Sequence, residues 1–468
     1  MFNRISWRLM TVLVIVSMVL AACATPTPTE EPPMEEPTDT EEPMEEPTAT
    51  EEMEEPTPTE EMAEEKPLEG ETVSVIAVWG GDELESFRAM VAPWEEETGA
   101  TMQYEGTRDL NAVLTTRVEG GNPPDIAGLP GPGQLQTFAE QGYLVDLSTF
   151  MDMESLEQAY DPGWLELASY EGGLYGLFTK AAVKSLIWYS PPDFEEAGYE
   201  IPDGSWSEVM SLTEQIAADG TTPWCVGLES GAASGWPGTD WIEDIMLRTA
   251  GPDVYDQWWQ HEIPWTDDAV KNAWEIWGEI VTNPDYVNGG PTGVRATNFG
   301  ESPYPMFQDP PGCYMHRQAT FIQGFITDQF TDLEPVDDFN YFGFPPIDEE
   351  YGRPVLSAGD LFGMFNDTPA ARSLMQWLAS AEAQRIWAER GGFISPNKNV
   401  SSDVYPDELT AQAAELLVTA PAVRFDASDL MPSAVNDAFW SGVLEYVENP
   451  DNLDQILQDI EQVAQENY

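Results

Sequence analysis

Tryptophans set among small, turn-forming residues are the side chains of this sequence best suited to chemistry. The chemistry they suit is the capture of a polyhydroxylated ring. A sugar offers one apolar C–H face and a rim of hydroxyls, so proteins hold it by stacking Trp or Tyr on the face and bonding the rim from Asp, Glu, Asn and backbone. The chain has 17 Trp. Trp236 stands in Ser234-Gly235-Trp236-Pro237-Gly238, where small neighbours open space around the ring, and Asp240 follows. Trp440 lies downstream of Met431-Pro432, with Phe439 beside it free to pack inward. Trp188 and Lys184 share one face of a strand by period-two spacing. Core packing is the ordinary use of a tryptophan, and Trp258, Trp259, Trp274, Trp277 and Trp377 are assigned to it.

No constellation of catalytic type accompanies them. There is no Gly-x-Ser-x-Gly elbow, no phosphate-binding loop with Lys-Ser/Thr, no His-Glu-x-x-His and no EF-hand spacing. Asp and Glu number 85, so some carboxylate pair must fall at glycosidase separation by chance. With His261 and His316 the only histidines, general bases other than carboxylates are scarce. No catalytic residue, cofactor or metal is expected. Lys and Arg number 18, for a net charge of −67. Such a chain repels nucleic acid and anionic lipid headgroups. Its acidity serves solubility, or answers a saline habitat or a basic ligand.

The elements that must position these residues begin after an export signal. Arg4 and Arg8 precede an apolar run over 9–20, and Leu20-Ala21-Ala22-Cys23 resembles a lipobox whose cysteine is diacylated. Residues 1–23 are the signal, and two acyl chains on Cys23 anchor stably. Residues 24–70, rich in Pro, Thr, Glu and Met, make an acidic tether without a core. Cys225 and Cys313 then remain, and an even pair in an oxidising compartment predicts a disulfide; with two thiols, a structural zinc site is not expected. The rest is too long for one core, so two lobes are expected. Apolar runs at 73–78, 100–104 and 124–127 alternate with amphipathic stretches carrying Leu84, Phe87, Val91 and Trp94, then Leu110, Leu114 and Val118, then 134–141. This rhythm predicts an open α/β sheet. Ligands bind beyond the carboxyl ends of such strands. The first lobe is expected over 71–183 plus 350–400 and the second over 184–349 plus 401–468, with crossings near Lys184 and at 345–358.

The order and spacing of several segments resemble one family. They are Trp79-Gly80-Gly81, Gly120 to Ile126, Lys184 to Tyr189, Trp224-Cys225 through Trp236 to Asp240, Gly312-Cys313-Tyr314-Met315-His316, Ser357-Ala358-Gly359-Asp360, Gly391 to Asn397 and Met431-Pro432 to Trp440. Together they resemble extracellular solute-binding protein family 1, the maltose-binding-like group, and its α-glucoside-binding branch. The resemblance implies a periplasmic-binding-protein-like fold, two α/β lobes joined by a hinge with the ligand cleft between them. It implies a monomeric, exported receptor that hands a small sugar to the permease subunits of an ABC transporter and touches the membrane only through its lipid anchor. Carried over by position, Trp79, Asp82, Asp125, Trp236, Asp240, His316, Gly359, Asp360 and Trp440 fall in cleft-lining segments. Met315-His316-Arg317 stands where the archetype has a Trp, and the loop after Asp125 lacks its charged pair, so the sugar need not be maltose. Rival readings are a receptor of the same fold for a cationic small molecule, and a secreted carbohydrate-active enzyme or adhesin.

Overall fold

In a computed structural model, residues 66–202 and 204–468 are described, and the alternating runs form a wound sheet. The export signal, Cys23 and residues 24–65 of the expected tether lie outside them. Residues 66–70, also expected in the tether, form turns, with the Leu68 N–H donating to the Thr98 carbonyl at 2.9 Å. Ten strands frame the lobes. They are β1 (Thr72–Ala77), β2 (Thr101–Gly106), β3 (Ile126–Leu129), β4 (Gly176–Val183), β5 (Leu186–Tyr189), β6 (Trp224–Cys225), β7 (Met315–Arg317), β8 (Asn340–Gly343), β9 (Val355–Met364) and β10 (Val423–Phe425). The helices used below are α1 (Gly81–Thr98), α2 (Leu110–Glu119), α3 (Pro132–Glu140), α4 (Trp206–Ala218), α5 (Trp236–Thr249), α6 (Asp268–Val281), α7 (Ile322–Gln329), α8 (Pro369–Leu378), α9 (Ala381–Ala388), α10 (Glu408–Thr419), α11 (Ser433–Glu448) and α12 (Leu453–Asn467).

The first sheet runs β10-β9-β3-β1-β2, with β4 also paired to β9. β1, β2 and β3 are parallel, as the strand–helix alternation requires. α1 turns Phe87, Met90, Val91 and Trp94 inward, and α8 and α9 close the lobe with Leu374, Leu378 and Trp387. The second sheet runs β8-β5-β7-β6. Its core holds Trp241, Trp258, Trp265, Trp274 and Trp277, all fully buried. Burying such side chains stabilises by about 1.5–3 kcal/mol each. Trp259 and Trp377 pack only part-buried at core edges. Cys225 and Cys313 form the expected disulfide, Cα atoms 5.5 Å apart, across the β6–β7 edge of this sheet. Among the described residues no helix is long and apolar enough to cross a membrane.

Three segments cross between the lobes where two were expected. Lys184-Ser185 joins β4 to β5, residues 344–354 join β8 to β9, and residue 426 follows β10. The third crossing divides the 401–468 stretch expected in the second lobe. β10 adds a strand to the first sheet, while Ala427, Met431 and Val435 enter the second core. α11 and α12 then pack against α5 and α6.

Candidate functional site

A cavity of about 150 Å³ lies where both lobes meet the crossing strands. Its floor comes from β4 and β9. Gly359 belongs there because β4 passes so close that a Cβ would stand 2.6 Å from the Lys180 carbonyl. Beside it, Asp360 accepts a hydrogen bond from Trp79 Nε1 at 3.2 Å and lies 3.5 Å from Lys180 Nζ. Lys180 also pairs with Glu83 of α1. Burial lowers the affinity of Lys180 for its proton, but Glu83 and Asp360 outweigh that and raise its pKa. Burial raises Asp360, with Lys180 opposing. Trp79 itself is 2% exposed. Its ring is edge-on to Phe87 and Trp387, both at 5.1 Å, so it orients Asp360 more than it offers a face.

The walls are aromatic and come mainly from the second lobe. Trp236 opens α5, its half-buried ring 5.1 Å from Phe299 and 5.9 Å from Phe321. Gly235 before it has φ +113°, and a Cβ there would stand 2.4 Å from the Trp440 carbonyl oxygen. That glycine lets the Trp236 loop sit directly on α11, so Trp236 and Trp440 line one cavity. Across from them, the Arg108 guanidinium of the first lobe covers the Phe299 ring at 4.9 Å. Two Trp and two Phe can supply the flat apolar surfaces a pyranose needs.

The ionised groups on the lining balance. Arg108, Lys180 and Lys184 face Glu83, Asp360 and Asp426, while burial, then the Asp426 charge, push the pKa of Asp429 well up. A chain of net charge −67 thus presents a nearly neutral cavity.

Beneath it, α5 carries a second charged cluster. Lys184 Nζ lies 2.8 Å from Asp240 Oδ1 and pairs with Asp426; Arg317 bridges Asp240 at 3.1 Å and Asp244 at 2.8 Å. Burial pushes Asp240 up to about 6 against the pull of Lys184. For Asp426 the Lys184 charge overcomes burial and holds the carboxyl down to about 2. Asp240, Glu243 and Asp426 bring carboxylate oxygens within 4.8 Å of one another, a spacing a cation could use. The Lys184 ammonium already provides that charge, and burial, then the Asp426 charge, push the pKa of Glu243 well up. The arrangement is an internal ion cluster.

Of the residues singled out in the sequence, Trp79, Lys184, Trp236, Gly359, Asp360 and Trp440 meet at the cavity. Asp240 sits under it. The others go elsewhere. Asp82 is exposed at the start of α1 and meets Asp328 of α7, from the other lobe. Asp125 lies at the amino end of β3, where it accepts from Ser74 N at 2.8 Å, Ser74 Oγ at 2.7 Å and Asn366 Nδ2 at 3.1 Å, tying strand ends away from the cavity. Trp188 is fully buried and donates to the Gln318 carbonyl at 2.7 Å. Its shared face with Lys184 is lost because β4 ends at Val183 and β5 starts at Leu186, in the other sheet. His316 is buried behind the disulfide, its Nδ1 2.9 Å from the Cys225 carbonyl, and burial lowers its pKa to about 4. Glu83, Arg108, Lys180, Phe299, Phe321 and Asp429 are also on the lining and were not anticipated. Asn298-Phe299-Gly300 carried the same turn signal as the Trp236 loop.

With this geometry in view, the relatives of the chain take on meaning. Residues 80–385 match the family model for bacterial extracellular solute-binding proteins. The osmoprotective compounds-binding protein GgtB of Synechocystis sp. is 46% identical, over 83% of this chain and 91% of that protein. The alpha-glucosides-binding periplasmic protein AglE of Rhizobium meliloti is 40% identical, over 81% and 84%. Among solved structures, the bacterial solute receptor AcbH superposes with a TM-score of 0.74 at 17% identity, covering 84% of this chain and 98% of AcbH. A chitin oligosaccharide binding protein gives 0.74 at 20% identity, covering 85% and 98%. These likenesses show the fold, a periplasmic-binding-protein-like pair of α/β lobes. The chain belongs to the bacterial extracellular solute-binding protein family.

Proposed function

We propose that this protein is the receptor of an ABC importer for small neutral glycosides, α-glucosides foremost. The observation that carries the reading is the lining of the cavity: aromatic walls over a polar floor whose charges are paired and sum to nearly zero. A sugar without net charge stacks on Trp236, Phe299 and Phe321 and exchanges hydrogen bonds with Asp360, Glu83 and Asp429. The names of GgtB and AglE point the same way, to osmoprotective compounds and alpha-glucosides. A cationic ligand is disfavoured, because Glu83, Asp360 and Asp426 already hold Lys180 and Lys184. An enzymatic role is not in question, since the relatives at 46% and 40% identity are binding proteins. Closure about the three crossing segments, export, and diacylation of Cys23 complete the reading.

A thermal-shift panel tests it. A neutral α-glucoside at about 100 times its dissociation constant should add about 2.7 kcal/mol to stability, and polyamines should add nothing. Stabilisation by polyamines and by no sugar would overturn the reading. For the anchor, Cys23→Ala should release the protein from the detergent phase; unchanged partitioning would exclude lipidation.

A further inference from the structure

Three residues at the start of α2 reach from the first lobe to the second. Arg108 covers the Phe299 ring at 4.9 Å, Asn111 hydrogen-bonds Asp437 of α11, and Asp109 Oδ1 accepts from the Ala232 N–H at 3.2 Å. The last of these contacts is unusual for its residue. Asp109 is the N-cap of α2, where an aspartate ordinarily accepts from the second or third N–H of its own helix. Here its backbone stands at φ −93° and ψ 33°, outside the extended geometry of a cap, and its side chain makes no capping bond. The Asn111 and Ala112 N–H groups are left without that acceptor.

The carboxylate serves the second lobe instead. Gly231–Ala233 form a short 3-10 turn whose own N-cap, Ser230, makes no side-chain bond to it. Its leading N–H groups need acceptors from elsewhere. Glu229 Oε1 accepts from Gly231 at 2.8 Å, and Asp109 accepts from Ala232, the next in line. Ser234 locks the turn to the loop behind it, accepting from the Ser230 N–H at 2.9 Å and donating to the Gly231 carbonyl at 2.7 Å. That loop leads directly into Trp236 at the start of α5. Asp109 is exposed, with room to swing.

We propose that Asp109 is a cap shared between the lobes. It holds the 231–233 turn, and with it the Trp236 loop, while the lobes meet, and returns to the first turn of α2 when they part. Each position gives the carboxylate one N–H at the start of a helical turn, so closing exchanges one bond for another of the same kind. A fixed latch would hold the empty protein shut; a shared cap leaves that choice to the ligand. As a positioning residue for the stacking ring, Asp109 rests on the sugar-receptor reading, whereas the exchange of caps does not.

Alanines stand at both ends of the exchange, Ala112 third in α2 and Ala232 second in the turn. Protein labelled with heavy nitrogen in alanine alone therefore reports both amides by magnetic resonance. Asp82→Cys with Asp328→Cys, joined by a short bismaleimide where those side chains meet, holds the lobes together without sugar. In the free protein Asp109→Ala should move the Ala112 amide proton upfield, by loss of its acceptor, and leave Ala232 in place. In the cross-linked protein it should move Ala232 and leave Ala112. Asp109→Asn, whose amide oxygen still accepts, should restore both signals, and Ala273 in the closed core of the second lobe should respond to neither variant. An Ala112 signal indifferent to Asp109 in the free protein would make the residue a fixed latch, and an indifferent Ala232 signal in the cross-linked protein would deny the contact; either overturns the proposal. Maltose, trehalose or methyl α-D-glucoside at saturation should act as the cross-link does. If none of them does while the cross-link still moves the response to Ala232, the receptor reading fails and the shared cap stands.

Discussion

Lys180 within β4 and Lys184 just after it are both buried, each between two carboxylates, yet they serve different ends. The partners of Lys180, Glu83 and Asp360, keep 18% of their side chains exposed toward the cavity. The partners of Lys184, Asp240 and Asp426, keep 1%. Where carboxylates retain an outlet they can trade a protein contact for a ligand hydroxyl. Where they are sealed, Lys184, joined at Asp240 by Arg317, is the counterweight to charge held away from water. The first cluster is therefore suited to recognition and the second to holding the crossings. Both lysines have their pKa raised because the ion pairs outweigh burial, so titration alone would not tell them apart.

The largest effect should come from the sealed cluster. Lys184→Met leaves Asp240 and Asp426 facing each other without their ammonium, and should cost about 3–5 kcal/mol of unfolding free energy, read by denaturant titration without ligand. A loss near that of an exposed pair would erase the distinction. Trp236→Ala should lower affinity by about 2–4 kcal/mol in calorimetry while changing stability less, since its ring is only half-buried. A variant that binds normally and melts early would make Trp236 core instead. Lys180→Met should weaken binding about tenfold, about 1.4 kcal/mol, and cost less stability than Lys184→Met.

The smallest effect lies at the rim, where Asp82 and Asp328 meet across the lobes. Burial, then the Asp82 charge, raise the pKa of Asp328. A carboxyl whose pKa is raised where the two lobes meet holds its proton there longer than where they part. Closure, and with it ligand affinity, should therefore fall as rising pH ionises Asp328. Asp328→Asn should flatten that slope and raise affinity a few-fold above neutrality; titrations at several pH values read it, and an unchanged slope would show that the pair does not sense closure.

Much of the first lobe was legible because its strands and helices differ in period. β1, α1, β2, α2, β3 and α3 fall where the sequence pattern put them, within a few residues. β4 and β9 were not legible. β4 has all eight residues buried, so it shows no alternation, and Lys180 interrupts its apolar run. β9 contains Gly359, Asp360 and Gly363, poor strand formers, and is a strand because β3 and β4 pair with it on either side. For the cavity, residue type found Trp236 and Trp440, and family resemblance found Trp79, Gly359 and Asp360. Neither could show that Asp125 faces the opposite end of its sheet, or that Trp188 falls on the far side of a lobe boundary. Phe299, Phe321 and Arg108 come from separate loops that only tertiary packing assembles.

The grip of α5 on the crossing segments has a mechanical consequence. Lys184 and Ser185 of the first crossing bond Asp240 and Asp244. Arg248 donates to the carbonyls of Pro345 at 3.0 Å and Pro354 at 2.7 Å in the second. Glu243 accepts from the N–H groups of Ala427 and Ser428, both at 3.1 Å, just after the third. A panel hung from one strap can swing, twist and slide; a panel hung from three straps fixed to the same rail can only swing. Twist and slide would strain different straps by different amounts, while a swing bends all of them together. The molecule is left with a single angle to vary, and whatever engages both lobes at once can gauge an occupied cleft from that angle alone.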